Sequence, residues 1–320
     1  MIEMKMLTAE QKKRHLEALK IRRPKFSVEN DILNAVPQII ASYGGKVTVR
    51  QVFYKLLGMT GSNGKPILSN TSNQYTQMDK TLTKLREEGK LSFYSFEDRS
   101  REELGTKDIG FSNPNNFLTL AEKGFRESWK QFDRRMWEDQ PNRLFILLEK
   151  ATLSRVFENA LSHYRIKIYV GHGYESGTKM KQLADECLPD KNNIVLHFSD
   201  YDPSGVHMTK DARDRLTNYG AKNLTVKRKA LTPNLVKWAK NYFGYSLPFN
   251  PWKVKDPRSY KYPIMATELD ALDPRDLRKI IIHSVRLEID SSKWLVKKQQ
   301  IDKERKILEK RLKNAIINIP

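Results

Sequence analysis

Apolar residues recur with a helical period in the first part of the chain and in short runs after residue 143. Between residues 28 and 43, Ile32, Leu33, Val36, Ile39 and Ile40 fall three and four apart, which predicts a helix. Thr48 is a suitable N-cap for a second helix with the apolar stripe Val49, Val52, Phe53 and Leu56. A Gly-, Ser- and Asn-rich turn from Gly58 to Asn73 leads to a third helix, from about Gln74 to Glu88, closed by Gly89. Residues 91–96, LSFYSF, alternate apolar and polar like a β-wing. Three helices and a short β element predict a winged helix-turn-helix over residues 28–104, whose third helix would enter a major groove. A plain three-helix scaffold is the alternative. Residues 105–142 hold the turn signal Asn113-Pro114-Asn115-Asn116 and a helix around Leu118 to Trp137, and read as a linker.

From Leu144 the short apolar runs alternate with helical patterns. Strands are expected at Leu144–Leu148, Ile166–Val170, Ile194–Phe198 and Leu224–Val226, with helices at Leu153–Leu161, Met180–Cys187 and Val206–Leu216 between them. That order implies a parallel sheet with right-handed crossovers. The predicted class is α/β, mixed α+β overall. A basic leader (1–27) and the winged-helix unit precede the linker, an α/β domain with its extension (143–290) and a basic helical tail (291–320).

Charge changes the picture more than composition does. Hydrophobic residues make up 39%, enough for a folded chain, while 58 Lys plus Arg against 38 Asp plus Glu leave a net +20. A polyanionic partner is expected, with a generally positive surface as the plainer alternative. Clustering favours the partner: residues 11–25 carry seven basic residues and one acid, and residues 291–320 carry nine against three acids. The candidate phosphate contacts are Arg22 and Arg23 of the leader, Lys84 on the third helix, Lys150 and Lys179. Lys150 reads equally well as a surface lysine. The single cysteine, Cys187, excludes an internal disulfide framework and a multi-cysteine zinc site. No stretch has the length of an apolar membrane span and the first residues lack a signal-peptide pattern, so a cytoplasmic, nucleoid-associated protein is expected.

Three carboxylates stand where chemistry gathers in a parallel sheet, beyond the carboxyl ends of its strands. Glu149 ends the first strand, and Asp200 and Asp202 follow the third in the run FSDYDPSG. Residues two apart on an extended segment point the same way, so both aspartates can reach one ion. Carboxylate oxygens are the donors Mg²⁺ prefers, with Mn²⁺ as a substitute. A lone DxD pair more often caps a helix, but its place after a buried strand, with a glutamate closing another, makes the signal stronger. Pro203 and Gly205 turn the chain into the next helix.

The runs LFILLEKATLSRVF and IVLHFSDYDPSG resemble the TOPRIM domain shared by topoisomerases, primases and some nucleases. Within that group they are most similar to the A subunit of topoisomerase VI and the meiotic double-strand-break enzyme, particularly the short stand-alone A-subunit-like proteins of mobile elements. The resemblance spans about residues 46–220. In those relatives a winged-helix domain carrying a catalytic tyrosine precedes TOPRIM, and TVRQVFYKLLG matches their arginine-to-tyrosine motif. It implies Tyr54 as nucleophile, with Glu149, Asp200 and Asp202 as holders of Mg²⁺. It also implies double-stranded DNA as substrate and a homodimer in which one protomer's tyrosine works with the other's metal site. Ala151-Thr152 departs from the acid often found after the Glu-Lys pair, and Ser204 falls at a variable position. No GxxxxGK[ST] or other glycine-rich ATP pattern occurs, so ATP-driven strand passage would need a separate ATPase B-type subunit.

The residues themselves support Tyr54 as a candidate, since Arg50 and Tyr54 are i and i+4 and share a helix face. A phenol with a pKa near ~10 is a weak nucleophile, which a nearby cation could activate. Packing in the core is the plainer role. In GHGYESGTK, Ser176 is either an N-cap or part of a phosphate-receiving turn. His172, His197 and His207 lack zinc spacing, and His197 reads as a satisfied core histidine. Glu268 and Asp270 read as helix-start acids, with membership of the acidic site as the alternative. The leading expectation is a Mg²⁺-dependent DNA-cleaving transesterase. A TOPRIM nuclease hydrolysing DNA or RNA and a catalytically silent DNA-binding protein are the alternatives.

Overall fold

The computed structural model describes residues 28–97, 110–171, 176–248 and 266–317. It is a mixed α/β fold built on a four-stranded, wholly parallel sheet. The basic leader with Arg22 and Arg23, and His172, lie outside the described residues.

The N-terminal helices follow the apolar spacing. Helix α1 (Glu29–Tyr43) buries Ile32, Val36 and Ile39, and ends at Gly44, whose φ of 69° is the left-handed conformation glycine adopts freely. Helix α2 (Val49–Leu57) begins with a capping box: Thr48 Oγ1 accepts from the Gln51 amide, and Gln51 Oε1 accepts from the Thr48 amide. Helix α3 (Ser72–Glu87) is capped by Thr71. The expected β-wing does not form. Residues 93–95 make a 3₁₀ turn, and Phe96 has one isolated parallel bridge to Val47. Alternation alone cannot make a strand without a neighbour to complete its ladder, and Phe93 and Tyr94 point outward instead. The linker helix is shorter than expected: α4 (Pro114–Glu127) gives way to a 3₁₀ turn at Ser128–Gln131.

The sheet consists of β1 (Asn142–Leu148), β2 (Lys167–Val170), β3 (Asn192–Phe198) and β4 (Leu224–Ala230), in the order β2-β1-β3-β4. Helices α5 (Ser154–Leu161), α6 (Gly177–Asp185) and α7 (Pro203–Asn218) make the crossovers. The two-residue period of a strand sends alternate side chains to opposite faces. Leu144, Ile146 and Leu148 join a core with Phe157, and Phe145 and Leu147 join a second with Met180, Leu183 and Leu216. The first core is continuous with the N-terminal helices through Ile32, Val52 and Leu56, and with α10 (Pro274–Arg286) through Leu277 and Ile281. Two short helices, α8 (Pro233–Lys237) and α9 (Ala239–Phe243), follow β4.

The basic tail forms α11 (Ser291–Ile317). Part of its charge is used internally: Lys297 pairs with Asp139 at 2.6 Å, and Arg305 donates to the Phe132 carbonyl at 2.8 Å. Trp294 packs edge-on against Trp137. No helix among the described residues is long and apolar enough to cross a membrane.

Candidate active site at the carboxyl edge of the sheet

The connections leaving β1 and β3 run to opposite sides, since β1 leads outward to β2 and β3 leads outward to β4. Their carboxyl ends therefore open a crevice at the switch point of the sheet. Glu149 and Asp200 meet there. The Glu149 amide donates to the Phe198 carbonyl at 3.0 Å, and the Asp200 amide donates to Glu149 Oε2 at 2.9 Å. Asp202 caps α7, its Oδ1 accepting from the Gly205 amide at 2.6 Å, with Pro203 in the first turn. The turn is so tight that a Cβ on Gly205 would lie 2.2 Å from the Asp200 carbonyl, so only glycine fits.

A second pair of acids reaches the crevice from far along the chain. Tyr201 and Thr267 form an antiparallel bridge, which lays the 3₁₀ turn Leu269–Ala271 over the edge. The Leu269 amide donates to Asp200 Oδ1 at 2.8 Å. Glu268 and Asp270 thus belong to the acidic site rather than only to a helix start.

Lys150 is the hub of these acids. Its ammonium lies 2.6 Å from Glu268 Oε2, 3.1 Å from Asp270 Oδ2 and 3.2 Å from Asp200 Oδ1. Burial depresses a lysine pKa, but here the three carboxylates prevail and hold it well above its ordinary value. This corrects the surface-lysine and phosphate-contact expectations alike: Lys150 is mostly buried and neutralised from within. Arg228, from β4, had no signal in the sequence. It donates to the Asp200 carbonyl, to the Gly205 carbonyl at 2.6 Å and to Ser199 Oγ at 2.5 Å, clamping the DxD turn from below. Burial lowers its pKa to about 10 against the pull of Glu149, Asp202 and Asp200.

Helix α2 brings Tyr54 and Arg50 to the same edge. Gln51 Nε2 donates to the Thr152 carbonyl at 2.9 Å, and Lys55 pairs with Asp273, so the helix is pinned at both ends. Tyr54 hydrogen-bonds to Glu268, and Arg50 Nε lies 3.9 Å from Glu268 Oε2. The phenol is raised well above its usual range, first by burial and then by the Glu268 charge, with Lys150 and Arg50 opposing. Arg50, Tyr54, Asn70, Ser72, Tyr75 and Glu268 line a cleft of about 440 Å³. Tyr54 therefore meets the acidic cluster of its own chain.

Three carboxylates supply the oxygen donors Mg²⁺ takes. Burial and then the Asp200 charge raise Glu149 to about 7, and Asp202 adds to this, a repulsion that a cation would relieve. The donor types therefore fit such an ion. As placed, however, Asp200 Oδ1 is engaged by Lys150 and the Leu269 amide, and Asp202 Oδ1 by Gly205. Among the described residues no group of three or more His, Cys, Asp or Glu side chains is set to hold a metal ion.

The remaining expectations fall elsewhere. Lys179 stands in the first turn of α6, its Nζ donating to the Val170 carbonyl at 3.0 Å, and Ser176 is the N-cap of that helix. Lys84 is exposed and paired with Glu29 at 2.8 Å and Glu88 at 3.6 Å, so it is not an unpaired cation awaiting phosphate. His197 is buried, with Nδ1 2.8 Å from Thr209 Oγ1, and burial lowers its pKa to about 3, so it is a neutral core residue. No protein-family model matches the chain, and no curated protein matches it.

Proposed function

We propose that the carboxyl edge is a site for phosphodiester chemistry on DNA, in which Tyr54 is the nucleophile of a Mg²⁺-dependent transesterification. The observation that carries this reading is the meeting of Tyr54 with Glu268, which shares the Lys150 ammonium with Asp200. A half-buried tyrosine serving only as packing has no need of an arginine, a lysine and carboxylates near its hydroxyl.

In the proposed step the Tyr54 oxygen attacks phosphorus and its proton passes to the Glu268 carboxylate. The phosphorus–oxygen bond to one sugar breaks, and that oxygen leaves as a hydroxyl after taking a proton from water, whose hydroxide takes the proton back from Glu268. The product is a phosphotyrosyl strand with the ester bond energy conserved. Arg50 orients the phosphate and offsets its charge. Glu149, Asp200 and Asp202 would hold Mg²⁺, which when bound stabilises charge on the phosphate and the leaving oxygen. Double-stranded DNA as substrate, a second copy of the chain and a separate ATPase subunit are partners proposed from the resemblance alone.

Denaturing gels of end-labelled DNA incubated with protein and Mg²⁺ test the proposal. Labelled DNA should migrate with the protein, and Tyr54→Phe should remove that species. Glu149 at about 7 favours a second reading, because a carboxylate near neutrality is suited to activating water. Under that reading DNA is cut without an adduct, and Tyr54→Phe cuts as well as the parent protein.

A further inference from the structure

At the opposite end of the sheet, around the amino ends of β1 and β3, a cleft of about 660 Å³ carries Arg134, Arg135, Arg143, Arg165 and Lys191 in its lining. Two of these cations are satisfied: Arg165 pairs with Asp133, and Arg134 with Glu304 at 2.5 Å. The other three are not balanced in this way. Arg135 has no ion pair among the described residues. Lys191 Nζ donates to the carbonyls of Trp137 at 2.8 Å, Glu138 at 2.6 Å and Gln140 at 3.0 Å, so its charge is fixed in place without a carboxylate. Arg143 Nε is buried with no acceptor, and its ion-pair partner, Glu186, is 3.7 Å from the far nitrogen.

A buried donor without an acceptor is costly to keep, and the Nε edge of a guanidinium is shaped for two oxygens of one phosphate. The acids nearby do not fill that role. Asp133 is taken by Arg165 and Arg305, Glu138 lies 3.3 Å from Lys297, Glu186 reaches only the far nitrogen of Arg143, and Asp190 is left as a single charge against Arg135 and Lys191. The aromatic in the wall is already engaged, since the Trp137 indole donates to the Tyr164 carbonyl at 2.7 Å and its ring packs on Trp294. The cleft therefore offers charge and one buried guanidinium donor without an acceptor, which a ligand reaches only if the Arg143 side chain turns outward, but no free stacking face.

We propose that this amino-edge cleft is a second phosphate-binding site, taking a backbone phosphate of a nucleic acid on Arg135 and Arg143, with Lys191 supplying fixed positive charge. It lies one strand length, roughly 20 Å, from Glu149. It rests on none of the carboxyl-edge chemistry, and it gives the net +20 of the chain a definite place to act.

The test is binding of a fluorescent oligonucleotide duplex to the full chain across a salt series, for the parent protein, Arg135→Ala and Arg143→Lys. Each variant should bind several-fold more weakly, with the slope of log affinity against log salt reduced by about one. Nitrogen-15 spectra supply a second readout, in which the Arg143 Nε resonance, assigned by its loss in Arg143→Lys, should move on adding duplex. Unchanged slopes in Arg135→Ala together with an unmoved Nε resonance would overturn the proposal. So would a resonance that responds to inorganic phosphate or a mononucleotide but not to duplex. Arg135 is exposed on a turn, so its variant remains informative even if Arg143→Lys folds poorly.

Discussion

The two ends of one parallel sheet carry opposite chemistry. At the carboxyl end, acids from three distant segments converge on a single buried lysine, which pairs with three of them and leaves an acidic excess. At the amino end the excess is basic, and part of it has no balancing acid. The first arrangement is closed on itself, because Lys150 is satisfied three times over. The second is open, because Arg143 keeps a donor edge unused. Removing the one cation that three buried carboxylates share costs much, whereas a basic cleft with too few acids of its own is a site for an anion.

This contrast fixes the order of expected effects. Lys150→Met should be the most disruptive change, since it leaves Asp200, Glu268 and Asp270 buried without a counter-charge. A loss of about 3–5 kcal/mol in urea unfolding is expected. The same substitution at the exposed Lys84 should leave the urea midpoint where it was, and equal effects at the two lysines would break the comparison.

His197, midway along β3, gives the next effect. Its folded pKa of about 3 lies below the ordinary 6.5, so the unfolded state binds more protons between those values. Stability is then fully present above pH 6.5 and is lost as pH falls, by about 3 kcal/mol at pH 4. His197→Gln should flatten that part of the stability profile; an unchanged profile would show that the histidine is not held neutral.

Glu149 runs in the reverse direction. Its folded pKa of about 7 lies above the ordinary 4.5, so the folded state binds the extra proton, and the residue costs stability as pH rises through 7. In EDTA, Glu149→Gln should stabilise the protein by about 3 kcal/mol at pH 8 and by only a few tenths of a kcal/mol at pH 4.5. A variant less stable than the parent at pH 8 would contradict the repulsion described here. The smallest effect is local: Glu268→Gln should bring the Tyr54 phenol down toward its ordinary pKa, read by ultraviolet difference titration against Tyr54→Phe.

Much of the fold was legible in the sequence because periodicity reports burial. Leu144–Leu148 and Ile194–Phe198 announced themselves as short apolar runs, and Thr48 as a cap, whereas Ser176 read equally well as a cap or as part of a phosphate-receiving turn. The placement of Glu149 beside Asp200 followed from the rule on strand ends, although the strand order itself carried no sequence signal. LSFYSF misled because alternation says which side chains could face a core, not whether a partner strand exists. Arg228 was invisible because a basic residue on a short strand looks like any exposed one, until the DxD turn folds over it. Glu268 and Asp270 looked like helix-start acids, and only the Tyr201–Thr267 bridge brings them to the site. Lys150 was ambiguous for the same reason, as two of its three partners, Glu268 and Asp270, lie more than a hundred residues downstream.

The central claim is that Tyr54 and the carboxyl-edge acids form one reactive site, and mass spectrometry of protein digested after reaction with DNA tests it most directly. The account predicts that the tryptic peptide Gln51–Lys55 carries the residual nucleotide on Tyr54, in the parent protein with Mg²⁺ and not in Glu149→Gln. DNA cleavage with that peptide unmodified, or with the nucleotide on another tyrosine, would contradict it.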